Sequence, residues 1–159
     1  MARGGQLKVS TGTAGELKRA LNASGWLDDE VIAAGHLRQG NPPSMAAMIS
    51  GAALIEVLRP RRSKLLPRQF VLAATRDRVV AFKALGVGIG EGSFQTYEAR
   101  IKPGEQGSFP RSAVRLTDLR GSLAAEGGTL VIGPERIPVT RQAPTRDPNT
   151  DELVELLTS

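Results

Sequence analysis

Two short apolar runs, separated by only three polar residues, constrain the fold of this chain more than any other feature. The runs span 70–75 and 79–83, and Arg76, Asp77 and Arg78 lie between them. Both runs are rich in β-branched and aromatic residues, which favour strands, and the interruption has the length of a hairpin turn. The sequence therefore predicts an antiparallel pair of strands in the middle of the chain.

Further strands are predicted on both sides of this hairpin. Short β-rich runs bounded by glycine, proline or charged residues occupy 54–58, 97–102, 114–119, 129–132 and 136–140, so that seven strands are expected in all. The last segment, 149–157, places Leu153, Leu156 and Leu157 on one helical face after a capping residue at Thr150 or Asp151. We therefore expect a short amphipathic helix to follow the strands.

The first fifty residues are predicted to be helical. Thr13 and Glu16 have the spacing of a capping box, which predicts a helix over 14–23 that ends at Gly25. Asp28 and Asp29 are expected to start a second helix that continues to residue 37, and a third is expected over 45–49. The resulting fold class is α+β and mainly β, with a helical extension over 1–50 and a β domain over 51–159.

The order of the predicted elements, and the hairpin in particular, resembles the bacterial pleckstrin-homology-like domains. In that family the second and third strands often flank a Thr-x-x-Arg turn, and here Thr75 and Arg78 occupy those places. The resemblance covers about residues 50–158. It implies a seven-stranded antiparallel barrel that is capped by the C-terminal helix and serves as a scaffold for binding lipid headgroups, peptides or other proteins.

Composition excludes several classes of function. The chain has 159 residues, enough for one core, and it contains no cysteine, which removes disulfides, thiolate nucleophiles and sulfur-ligated metals. Its single histidine, His36, is expected on the second helix and has no evident nucleophile or orienting carboxylate beside it. We therefore expect a protein that is not an enzyme and that uses no metal or cofactor.

The net charge of +5 is concentrated in one segment. Residues 59–68 hold five cations and no acid between the first two predicted strands, namely Arg59, Arg61, Arg62, Lys64 and Arg68. Guanidinium groups suit phosphate, and in eukaryotic relatives of the resembled family the corresponding loop grips phosphoinositides. Two interpretations stay open: an anion-binding loop, or a solvated loop whose arginines pair with local acids such as Glu56.

Three apolar residues are candidates for contacts with a partner. Leu65 and Leu66 lie within the basic segment, and Trp26 is the only tryptophan. Trp26 is interpreted either as an exposed anchor for a partner or as a residue that locks the N-terminal helices onto the barrel. Met45, Met48 and Ile49 are interpreted as core or subunit contacts.

The cellular location is predicted from two kinds of segment that the sequence lacks. No apolar run is long enough to span a bilayer, and the N-terminus lacks the apolar block of a signal peptide, so a cytoplasmic location is expected. The leading hypothesis is a binding or assembly module that contacts another protein or a second copy. The alternative is peripheral recognition of anionic phospholipid headgroups at the inner face of the membrane. Nucleic-acid binding is not expected, because aromatic residues for base stacking make up only 4% of the chain.

Overall fold

A computed structural model describes residues 5–40, 63–89, 96–121, 125–142 and 147–159. Strands and helices in these ranges follow one another as β1 Leu7–Ser10, α1 Glu16–Ser24, β2 Ala33–Gln39, β3 Gln69–Ala74, β4 Arg78–Ile89, β5 Thr96–Pro110, β6 Val114–Gly121, β7 Ala125–Ile132, β8 Glu135–Gln142 and α2 Thr150–Thr158. The prediction of an α+β, mainly β chain that ends in a helix is confirmed.

All the strands in these ranges join one antiparallel sheet. Its order is β1-β5-β4-β3-β2-β8-β7-β6, so each strand from β2 to β5, and from β6 to β8, lies beside its neighbour in the chain. The sheet has eight strands within the described residues, and the expected number of seven is wrong. The predicted strand over 54–58 and the predicted helix over 45–49 lie outside the described residues.

The central hairpin forms as predicted. Strands β3 and β4 pair in an antiparallel register that brings Ala74 opposite Val79. At the turn, the Thr75 amide donates to the carbonyl of Arg78 over 2.8 Å, and the Thr75 hydroxyl lies 3.2 Å from the Arg78 amide. The Thr-x-x-Arg spacing therefore closes the turn through both the backbone and the threonine side chain.

Strand β3 separates two apolar cores. Phe70, Leu72 and Ala74 point into a first core, which also contains residues of β6, β7, β8 and α2. Val71 and Ala73 point into a second core, which also contains residues of β1, β5 and α1. Successive side chains of a strand face opposite sides, so a strand buried on both faces has a continuous apolar run, as β3 has.

The predicted second helix is wrong, because its C-terminal half is strand β2. Every residue from Ala33 to Leu37 is buried. Ala34 faces the second core while Ala33 and Leu37 face the first, so this segment is covered on both sides. A surface helix buries only one stripe of its residues. Burial on both faces therefore selects the extended conformation over the local helical pattern.

Residues 5–40, the described part of the predicted helical extension, are only partly helical. Helix α1 exists and ends, as predicted, at Gly25, which adopts a left-handed conformation with φ of 71°. The capping box is wrong, since no side chain of the helix's own N-terminal segment caps it, and Glu16 bonds Arg19 instead. The interpretation of 1–50 as a helical extension is also wrong for β1 and β2, which pair with β5 and with β3 and β8. The boundary expected at residue 50 lies outside the described residues.

Helix α2 lies against β2 at an unusually close distance. Its Leu153 and Leu157 are buried in the first core. A Cβ atom added at Gly35 of β2 would lie 2.7 Å from Cγ2 of Thr150 and 2.8 Å from Cδ2 of Leu153. Only glycine allows the helix to approach this strand so closely.

Candidate functional site

A surface cavity of about 240 Å³ lies beside the only tryptophan. We call it the Trp26 cavity, and the residues that line it are Gly25, Trp26, Asp28, Phe82, Pro103, Gly104 and Glu105. They come from the connection between α1 and β2, from β4 and from the middle of β5. Segments far apart in the sequence therefore meet at this site.

The connection that carries Trp26 is fixed at both ends. Gly25 ends α1 in a left-handed conformation, and the Trp26 amide donates to the Ser24 hydroxyl over 3.1 Å. At the other end, the side chain of Asn22 in α1 bonds both the amide and the carbonyl of Val31, at 2.8 and 3.0 Å. The loop is thus closed onto its own helix, which limits the freedom of the residues that line the cavity.

The indole ring of Trp26 rests on Phe82. The ring centroids are 5.4 Å apart, and the planes meet at 44°, a tilted aromatic contact. Phe82 is only 1% exposed and belongs to the second core, so it fixes the indole from below. Of the two interpretations of Trp26, packing of the N-terminal segment onto the sheet is therefore observed, while the half-buried ring still lines an open cavity.

The polar atom of the indole has no partner. Nε1 of Trp26 is buried and makes no hydrogen bond within the described part of the chain. A buried donor without an acceptor is uncommon in native proteins and costs about 1–3 kcal/mol. It leaves one unsatisfied hydrogen-bond donor on a residue of the cavity wall.

The charge of the cavity is opposite to that of the chain. Asp28 and Glu105 are both exposed, and the seven lining residues include no lysine or arginine. At the margin, the guanidinium of Arg78 lies 3.5 Å from Glu105 and 3.9 Å from Asp29. The lining therefore has a formal charge of −2, whereas the whole chain has a net charge of +5.

The basic segment is described only from residue 63 onward. Lys64 and Arg68 are exposed, whereas Arg59, Arg61 and Arg62 lie outside the described residues. Arg38, at the end of β2, is half-buried and close to Arg68: burial lowers the pKa of Arg38, and the positive charge of Arg68 lowers it further. Neither arginine forms an ion pair with any residue that the structure describes.

The two leucines of the basic segment have different environments. Leu66 is 1% exposed and packs in the first core, whereas Leu65 is 37% exposed. The Gln39 side chain holds the backbone around these leucines. Its Nε2 donates to the carbonyls of Ser63, Leu66 and Pro67 over 3.0–3.2 Å. This end of the segment is therefore anchored to β2, and only Leu65 of the pair is available for contact with a partner.

His36 lies on β2 and not on a helix, and its side chain is nearly inaccessible at 8% exposure. Burial lowers its pKa from 6.5 to about 4, a hydrogen bond with Gln69 opposes that shift, and the charge of Arg38 adds to it. Its Nε2 has no partner among the described residues. The imidazole is therefore neutral at pH 7 and packs against Gly86.

A buried polar cluster joins the start of α2 to the sheet. The Arg141 guanidinium lies 2.7 Å from the carboxylate of Asp151 and donates to the carbonyl of Asp147 over 2.6 Å. The Thr150 hydroxyl donates to Asp147 over 2.6 Å and accepts a 3.0 Å bond from the His36 amide. Burial raises the pKa of Asp147, and its bond with Thr150 and the charge of Arg141 oppose the shift.

Two features are absent from the described ranges. No group of three or more histidine, cysteine or acidic side chains within them has the arrangement of a metal site. No helix in the same ranges is both long enough and apolar enough to pass through a membrane. Comparison with known proteins found no match to a family model, to a curated protein or to a solved structure.

Sequence reasoning identified only part of these sites. The sequence indicates Trp26 as a candidate, but it predicts a helix cap for Asp28 and no site role for Phe82 or Glu105. Asp28 precedes a strand and not a helix, so its carboxylate is free to face the cavity. The meeting of Trp26 with Glu105 depends on the pairing of β4 with β5, for which the sequence has no local signal.

Proposed function

We propose that this chain is a non-enzymatic protein-binding or assembly module and that its contact surface is the Trp26 cavity. One observation supports this proposal above the others. A half-buried tryptophan, fixed by Phe82, lies beside two exposed carboxylates around an open cavity. Tryptophan is enriched among the residues that dominate binding energy at protein interfaces. The rigid support of the ring limits the conformational entropy that would be lost on binding.

Other surfaces support assembly less well. Helix α1 already buries Leu17 and Leu21 against the second core. Among the described strands, the sheet ends at β1, which has four residues, and at β6, which is irregular after Thr117 and contains Asp118 at a positive φ of 56°. Short or bulged edges oppose pairing with a second sheet. The proposed surface is therefore the cavity and not a sheet edge.

We also propose a pleckstrin-homology-like core, formed by β2 to β8 and α2. The proposal is supported by the order of the elements in the described ranges, where β2 to β8 are seven antiparallel strands and α2 follows them. In this interpretation the first strand of the core is β2, and β1 and α1 are additions packed on its outside. A fold of this kind is a scaffold, and fold alone does not assign its ligand.

Photo-crosslinking in cells of the source organism tests the proposed function. A photoreactive residue at Gln106, exposed and adjacent to Glu105, is expected to form an adduct with another protein or with a second copy. The same residue at Arg136, an exposed position on β8 outside the lining of the cavity, is the control. Adducts at both positions alike, or at neither, would contradict a contact surface at the cavity.

A second candidate function is peripheral recognition of anionic phospholipid headgroups through the basic segment. The observation in its favour is the pair Arg38 and Arg68, whose charges lie close together without a carboxylate partner in the described ranges. Each basic residue near an anionic membrane contributes about 1 kcal/mol, so two arginines, of which only Arg68 is exposed, orient or assist binding and do not anchor the protein.

Liposome co-sedimentation tests this second function. Vesicles with anionic lipid are expected to bind the chain, and binding should weaken as salt is added. The combined change Lys64→Ala and Arg68→Ala should reduce binding by roughly fivefold for each charge removed. Arg115→Ala, at an exposed position of β6, is the matched control. Equal loss in the control, or binding to neutral vesicles, would remove the hypothesis.

A further inference from the structure

We propose that the Trp26 cavity binds an arginine side chain that a partner protein presents. The inference depends on the proposed function in one respect only, namely that the molecule presenting the arginine is a protein. The chemistry itself follows from three properties of the cavity, which are its aromatic wall, its negative charge and its size.

The aromatic wall suits a planar cation. A cation over the face of an indole is attracted by the π electrons, weakly at exposed sites and more strongly when water is excluded. Trp26 supplies the accessible aromatic surface of the cavity, and Phe82, which is 1% exposed, holds the indole in place from the core. The aromatic surface is thus present before binding and requires no rearrangement.

The carboxylates supply the charge. Asp28 forms no ion pair with any other residue that the structure describes, and Glu105 lies 3.5 Å from a single cation, Arg78. A carboxylate has about four acceptor positions, so Glu105 can receive a second guanidinium while it keeps Arg78. The formal charge of −2 in the lining is complementary to a basic ligand.

The size of the cavity limits the ligand to one side chain. Pockets for drug-sized molecules have roughly 300–1,000 Å³, and this cavity has about 240 Å³. Gly25 and Gly104 lie in its lining, and a Cβ atom at either would meet no other atom within 4 Å, so the backbone is open there. A guanidinium both stacks on aromatic rings and forks toward carboxylates, whereas an ammonium is a compact, strongly hydrated charge, and arginine is therefore favoured over lysine.

Tryptophan fluorescence provides the test, because the chain contains only one tryptophan. The probe is N-acetyl-arginine amide, and its control is N-acetyl-citrulline amide, which has nearly the same shape without the charge. The arginine probe is expected to change Trp26 emission in a saturable way, with a dissociation constant of roughly millimolar order, and the effect should weaken with salt. An equal response to the citrulline probe would overturn the proposal.

Two sets of variants locate the binding. Asp28→Asn together with Glu105→Gln should weaken binding of the arginine probe, by at most about fivefold for each exposed pair removed. Asp118→Asn removes an exposed carboxylate outside the cavity and should leave binding unchanged. Far-ultraviolet circular dichroism establishes that the variants are folded. Binding that is unchanged in the double variant would place the arginine elsewhere and contradict the inference.

The two proposals fail in different ways. A crosslink at Gln106 without an arginine response would leave a protein-binding surface of other chemistry. An arginine response without a crosslink would leave a cation-binding cavity without a protein partner.

A lysine probe, N-acetyl-lysine amide, tests the preference for arginine. It is expected to bind more weakly than the arginine probe, and tighter binding of the lysine probe would overturn the preference for arginine over lysine.

Discussion

The side-chain Oδ1 of Asn149 accepts a hydrogen bond of 2.9 Å from the backbone amide of Leu17, which lies 132 residues earlier. Leu17 is in the first turn of α1, where backbone amides have no partner within the helix. Nδ2 of the same asparagine donates to the carbonyl of Ser10 over 3.3 Å. One buried residue before α2 thus caps α1 and holds the end of β1.

Asn149→Ala is expected to destabilise the protein by about 1–2 kcal/mol, because it removes the cap and leaves a buried amide without an acceptor. Chemical denaturation measures the loss. Hydrogen exchange at the Leu17 amide should accelerate more than exchange in the β3–β4 hairpin.

Asn149→Asp keeps the acceptor for Leu17, although it loses the bond to Ser10 and sets a buried carboxylate against that carbonyl. It should therefore lower stability and still retain most of the protection at Leu17. If both variants exposed Leu17 equally, the side-chain cap would not be the source of its protection.

Gly35→Ala is expected to cost roughly 1–3 kcal/mol, since its Cβ would overlap Thr150 and Leu153 and force α2 away from β2. The thermal midpoint measures this loss. The matched control is Gly121→Ala, where an added Cβ meets nothing within 4 Å and the midpoint should hardly change.

Because one of the two overlaps is with Cγ2 of Thr150, Thr150→Ser should recover part of the loss caused by Gly35→Ala. Strictly additive effects of the two substitutions would contradict the close approach of α2 at this position.

The burial of His36 predicts a stability that depends on pH. Its pKa is about 4 in the folded chain against 6.5 for the free side chain, so between these values the unfolded chain binds more protons. Stability should therefore fall as the pH is lowered through this window, by about 3 kcal/mol from this residue alone.

Asp147 acts in the opposite direction at pH values above its ordinary pKa, because its pKa is raised in the folded chain, which then binds more protons than the unfolded chain. Comparison with His36→Gln at each pH cancels that contribution. The difference in unfolding free energy between the parent and this variant should change through the window, and a constant difference would refute the buried, neutral histidine.

Thr150→Val is expected to lower the free energy of unfolding, measured by urea titration, by about 2–4 kcal/mol, although it barely changes the side-chain volume. The hydroxyl accepts from the His36 amide and donates to Asp147, and both partners are buried. Their loss leaves a buried amide and a buried carboxylate without this partner.

Thr150→Ser keeps the hydroxyl and loses one methyl group, so it should cost only about 1 kcal/mol in the same urea titration. A larger loss with serine than with valine would show that packing, and not the two hydrogen bonds, determines the role of Thr150.

Local sequence patterns predict three features that the structure contains. The β3–β4 hairpin follows from two apolar runs and a three-residue turn, and the end of α1 follows from Gly25. The terminal helix follows from the spacing of Leu153 and Leu157, both of which are buried. In each case a local pattern specifies the element, although distant residues also stabilise it, as Asn149 stabilises α1 and β2 stabilises α2.

Tertiary structure decided the rest, because the relevant contacts join distant parts of the chain. Residues 33–39 have a helical pattern, yet they form β2 because β3, β8 and α2 bury them from several sides. Trp26 was conspicuous as a single residue, but its cavity exists only where β4 and β5 bring Phe82 and Glu105 beside it. A local pattern specifies conformational preference, whereas two-sided burial and the meeting of separate strands are properties of the assembled sheet.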